Sequence, residues 1–204
     1  MKNTFKSLLL LGSILMGTTF CDAQDLDLKH TMESSFQTKG IASADRLNQD
    51  ENQMACSALV KGKPQINAKL KAKIEKSNLN SVAYPQDGVF LGNWREGEKI
   101  AQSGKGATWS DKADDVNGGS CYNCHQLDKK EISYGTIGPS LYNYGKMRGQ
   151  DEAVIKYTWA KLYNSKAYNA CSLMPRFGHF KLLTENQLRD LMALLLDPQS
   201  PVNQ

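Results

Sequence analysis

A mainly α fold is what this 204-residue sequence predicts, on three observations. No run alternates apolar and polar residues with period two, as a half-buried strand would. Apolar residues recur at helical spacing in several stretches. The clearest of these also carries its own start and stop signals: Thr184 and Gln187 form a capping-box pair, Leu188, Leu191, Met192 and Leu195 follow at i, i+3, i+4, i+7, and Pro198 ends the run. Hydrophobic residues make up 40% and charged residues 23%, a globular composition. The net charge of +4 is too weak to argue for nucleic acid, although a mildly basic surface suits an acidic protein partner.

The elements follow in chain order. Lys2 and Lys6 precede the apolar run "SLLLLGSILMG" at 7–17, which falls short of the roughly 20 residues that span a bilayer. "CDA" at 21–23 offers small residues for cleavage, so residues 1–23 read as a leader cut near Ala23, and the mature chain as an exported, periplasmic protein without a membrane span. A lipoprotein reading through Cys21 is weaker, because bulky Phe20 precedes it. Residues 24–92 read as an N-terminal extension. Within it, 24–55 is polar and irregular, while Ile66, Leu70 and Ile74 predict a short lysine-rich helix from Gln65 to about Lys76. That lysine face is a solvated surface or a docking face for an acidic partner. "NSVAYPQDGVFLGN" at 80–93 is a connector. Residues 93–204 form the remaining domain, with a short helix at 95–104, a turn-rich approach at 107–120, a helix at 151–164 with acidic residues in its first turn, and the capped helix after Thr184.

The chemistry lies in "GGSCYNCHQL" at 118–127. Cys121 and Cys124 flank two residues, and His125 follows at once. A redox dithiol of this spacing belongs in a βαβ setting, and a zinc site needs a second ligand pair, whereas His30 and His179 are far apart in sequence. C-x-x-C-H is the attachment motif of a c-type haem: the two thiols add to the two vinyl groups, and the next histidine ligates the iron. One covalently bound haem c is the expected cofactor.

A closed haem needs a second axial ligand. Met147, Met174, His179 and Met192 are the candidates. Met192 belongs to the apolar stripe of the last helix, and Met147 sits between Lys146 and Arg148. Met174 is favoured, because Pro175 stiffens the chain that presents it. In "TIGPSL" at 136–141, Pro139 is assigned to accept, through its carbonyl, the other ring nitrogen of His125; a plain turn is the alternative. Without the leader, five cysteines become four, and Cys56 and Cys171 remain. They form a disulfide, stay as buried thiols, or bond a partner chain.

"CYNCHQL", "EISYGTIGPSLYNYGKMRG", "YNSKAYNACSLMPRFG" and "LTENQLRDLMALLLDPQSPVN" together resemble the SoxX family of monohaem cytochromes, over about residues 93–203. The resemblance implies a class I-like cytochrome c domain with an N-terminal extension, and His125 and Met174 as axial ligands. It implies a place in an L-cysteine S-thiosulfotransferase complex, as the non-catalytic subunit that accepts electrons. The implied partners are a SoxA-like cytochrome with one or two haems and the reactive cysteine, a SoxYZ-like carrier, and a soluble cytochrome acceptor. No residue of this chain is then catalytic.

Overall fold

The capping box at Thr184 forms as its sequence requires. Gln187 donates its backbone N–H to Thr184 Oγ1 at 3.3 Å and accepts the Thr184 N–H through Oε1 at 3.0 Å. The helix it opens, α7 (Glu185–Leu196), buries Leu188 and every residue from Leu191 to Leu196. A computed structural model describes residues 28–204 apart from 61, 62 and 65, and the leader with its cut near Ala23 lies outside that range. The chain divides into a unit of residues 1–35, whose described part is helix α1 (Leu28–Ser35), and a second unit of residues 36–204.

The second unit is mainly helical and is built on α7. Helix α4 (Trp94–Gln102) makes the most extensive packing against it. Gly97 permits the close crossing, since a Cβ there would lie 2.1 Å from the Asp190 carbonyl oxygen. Helix α6 (Glu152–Tyr163) opens on Asp151, whose Oδ1 accepts the Val154 N–H at 2.8 Å. It contributes Trp159, which is 1% exposed and stacks edge-on with Phe90. The indole N–H donates to the Ala83 carbonyl at 2.8 Å, so the connector after residue 80 is fixed to the core. Helix α5 (Tyr144–Arg148) is held by the C-terminus: buried Asn203 accepts the Gly145 N–H at 2.9 Å and donates to the Leu195 carbonyl at 3.1 Å.

Two segments of the second unit differ from expectation. The polar stretch before residue 55 is not wholly irregular. Helix α2 (Glu51–Ser57) opens on a second capping box, between Asp50 and Gln53. Helix α3 starts and ends later than the apolar spacing predicts, at Ala68–Asn80, because Asn67 caps it through a 2.9 Å bond from the Leu70 N–H. Its Ile74 and Asn78 are buried while Leu70, Lys69, Lys71, Lys73 and Lys76 are exposed, so the inward stripe runs on past the lysines. Between α2 and α3 a two-residue ladder pairs β1 (Leu59–Val60) with β2 (Lys63–Pro64).

Candidate functional site

Cys121–Asn123 is a single 3-10 turn, entered through Ser120 in the left-handed region with φ 50°. The turn closes when the Cys124 and His125 N–H groups both donate to the Cys121 carbonyl, at 3.1 and 2.9 Å. Residues 135–141 then run back alongside it. The Gly135 N–H donates to Tyr122 O at 2.8 Å, Gly138 to Cys124 O at 2.8 Å, and Leu141 to Gln126 O at 2.7 Å. These bonds carry the carbonyl of Pro139 to 2.7 Å from His125 Nδ1. A carbonyl oxygen only accepts, so Nδ1 carries the proton and the lone pair of the neutral ring sits on Nε2. Gly138 lies against the ring itself, where a Cβ would come within 2.2 Å of Cε1.

Met174 stands on a separate loop. Ser165 donates to its carbonyl at 2.6 Å, and Ser172 Oγ accepts its N–H at 3.3 Å. Both faces meet in one apolar cleft, which holds about 310 Å³ of empty space including its open mouth. Its walls include Cys121, His125, Leu127, Leu162 and Met174. Of the other thioether candidates, Met147 is 71% exposed on α5 and Met192 is sealed in the core of α7. His179 sits beside Phe180, and burial, followed by the nearby Arg176, lowers its pKa.

Cys121 and Cys124 are not bonded to each other, and burial pushes the Cys121 thiol up to about 12. A redox dithiol needs a stabilised thiolate, which burial disfavours at Cys121. Among the described residues no three His, Cys, Asp or Glu side chains converge, as a zinc site without a second pair would require. The donor set suits a covalently held haem instead. Two thiols lie one turn apart, an imidazole has its tautomer set by a backbone carbonyl, a thioether faces the same cleft, and the walls are apolar.

No family model matches the chain. Over 158 residues it is 39% identical to a protein of Aquifex aeolicus (strain VF5) described as an uncharacterized lipoprotein, a match covering 76% of this chain and 73% of that one. The chain belongs to that lipoprotein's family.

In this family member the Met174 loop is held by the Cys56–Cys171 disulfide, one of the pairings the cysteine count allows, and by residues whose partners no sequence motif marks. Cys171, three positions before Met174, forms a disulfide with Cys56, across a separation of 115 residues. Arg176, two positions after it, is 4% exposed and pairs with Asp50. Lys166 donates to the Ala170 carbonyl at 2.8 Å, and the Ala170 N–H donates to Glu75 Oε1 at 3.1 Å. Asn164, fully buried, donates to Asn78 of α3 at 2.9 Å. The segment before residue 93 therefore grips the loop at α2 and at α3. The Asp50-x-x-Gln53 capping signature was the sequence signal for the first of these anchors.

Proposed function

We propose that the chain is an exported monohaem c-type cytochrome that serves as the electron-accepting subunit of a thiosulfate-conjugating complex. One observation carries the haem reading: the hydrogen bond from His125 Nδ1 to the Pro139 carbonyl, made at the edge of a cleft that Met174 also lines. Cys121 and Cys124 would hold the group, and His125 and Met174 would be its axial ligands. Such a haem supplies a one-electron Fe(III)/Fe(II) couple, with a potential raised by the thioether. The protein's own part is to fix the imidazole through Pro139 and Gly138, to exclude water with the leucines of the cleft, and to hold Met174 from both flanks.

The assignment to thiosulfate chemistry rests on the SoxX-like segments of the sequence. In that reaction a cysteine thiolate and thiosulfate join through one new S–S bond and release two electrons. The reactive cysteine belongs to a SoxA-like partner, the carrier is SoxYZ-like, and a soluble cytochrome takes the electrons onward. Ile132, Ile137 and Leu173, on the loops that bear the proposed ligands, are 98%, 78% and 90% exposed, a distribution that supports a docking role for this side of the protein. The lipoprotein relative supports export, and whether Cys21 is lipidated or lost with the leader is settled by the mass of the mature N-terminus.

The test is the mass and spectrum of protein purified from the exported fraction. One covalent haem is expected, with the weak far-red band of methionine-ligated ferric iron. Replacing both Cys121 and Cys124 by Ala is expected to abolish the attachment. A variant that still carries covalent haem sinks the reading.

A further inference from the structure

A second, larger cavity lies outside the cleft and shares only Met174 with it. It holds about 810 Å³ of empty space including its mouth, and it lies between α2, the Cys56–Cys171 disulfide and the Met174 loop. Unlike the cleft it has charged and polar groups among its apolar walls. Lys166 and Arg176 reach it from below, 5% and 4% exposed, and Gln49, Gln53, Ser57 and Ser172 stand around them.

Two cations and one carboxylate meet here. Asp50 pairs with Arg176, which leaves one positive charge over in a partly desolvated place. Burial, and then the neighbouring guanidinium, depress the pKa of Lys166, so the ammonium is held at a cost. Donors also remain. An ammonium has three N–H groups and a guanidinium five, and among the described residues each is given one hydrogen-bond partner, Ala170 for Lys166 and Asp50 for Arg176. The Phe180 ring lies against the Arg176 guanidinium, 4.2 Å from its Cζ, and helps to fix the fork. The electron-accepting role uses neither cation.

We propose that this cavity binds a small inorganic oxyanion of the sulfate type between Lys166 and Arg176. A compact tetrahedral dianion supplies several acceptors to the unused donors, and it offsets the charge that Asp50 leaves uncovered. The neutral amides and hydroxyls of the rim complete its shell without adding competing charge.

Isothermal calorimetry of the purified exported protein tests this, with sodium sulfate as the probe at constant ionic strength. Heat is read independently of any haem, so the result stands apart from the cytochrome reading. One saturable site is expected. Lys166→Gln is expected to weaken it about tenfold, the weight of one charge-assisted hydrogen bond. Leu173→Glu places a carboxylate on the exposed rim, leaves the buried cations in place, and is expected to weaken binding measurably even where Lys166→Gln does not fold. Absence of saturable heat at millimolar sulfate overturns the proposal. So does sulfate binding that Leu173→Glu leaves unchanged.

Discussion

At His125 the two ring nitrogens compete for the proton, and the chain decides between them with one backbone carbonyl. Pro139 has no N–H to offer, and its carbonyl sits 2.7 Å from Nδ1, so Nε2 is the nitrogen left with a lone pair. Gly138 is as tightly specified. A methyl there would lie 2.2 Å from Cε1 and 2.5 Å from Nδ1, and the ring could make room only by giving up its bond to the Pro139 carbonyl. Gly138→Ala is therefore expected to cost about 1–3 kcal/mol, as overpacking does, and to break the Pro139 bond. A lowered melting temperature with a shifted ferric spectrum checks this; a variant with wild-type values in both refutes the contact. At Met174 the expectation concerns the potential. Met174→His keeps a strong ligand but replaces a thioether with an imidazole, which favours ferric iron. The midpoint is expected to fall by a sizeable part of the roughly 0.8 V range that axial ligands command. An unchanged midpoint and spectrum exclude Met174 as the ligand.

At the scale of elements, the Met174 loop is held more firmly than its length would suggest. The disulfide closes 115 residues of chain, and loss of such a native bridge typically costs about 2–5 kcal/mol. The double variant Cys56→Ser, Cys171→Ser is expected to lower stability by that order. Chemical denaturation reads the change, and a shift under ~1 kcal/mol would show that the loop is held without it. The second tie, Asp50 to Arg176, is acid-sensitive. Burial alone would raise the Asp50 pKa, but the bonds from Arg176 and the Gln53 N–H outweigh it and hold the carboxyl below the usual range. A depressed carboxylate stabilises the fold above its unfolded pKa and stops doing so as pH falls through the folded one. The contribution is thus expected intact at neutral pH and lost below about pH 4, where Asp50→Asn and the native chain should converge in stability. These elements differ in how much the sequence reveals. Helix α7 is legible because its capping box precedes a full apolar stripe. Helix α2 carries a capping box too, yet no stripe follows it, since its anchors are a cysteine and an aspartate cap rather than apolar residues. The contact of the Pro139 carbonyl with His125 is legible because local chain chemistry sets it. Arg176, Lys166 and Asn164 are not, because their partners lie in elements far away in sequence or on backbone carbonyls that no pattern marks.

For the whole molecule, the question is whether a chain with this architecture acts alone. Cys121 is a buried thiol pushed up to about 12, the spare cysteines are bonded to each other, and His179 packs on Phe180. If Met174 is the proposed axial ligand, the grip of α2 and α3 on its loop would keep the iron closed, since a ligand held from both flanks does not swing away to admit substrate. A haem held in that way would take and pass single electrons. Its ligand-bearing loops expose Ile132, Ile137 and Leu173, which are costly on a free surface and useful at an interface. The purified chain is therefore expected to show no thiosulfate-dependent reduction of an electron acceptor by itself. Turnover is expected when a SoxA-like subunit and a carrier thiol are added. Ile137→Asp or Leu173→Asp should then weaken complex formation without altering the absorption spectrum of the isolated chain. Steady-state assays with each component omitted in turn, paired with co-purification, make the measurement. Robust turnover by the isolated chain would refute the subunit reading.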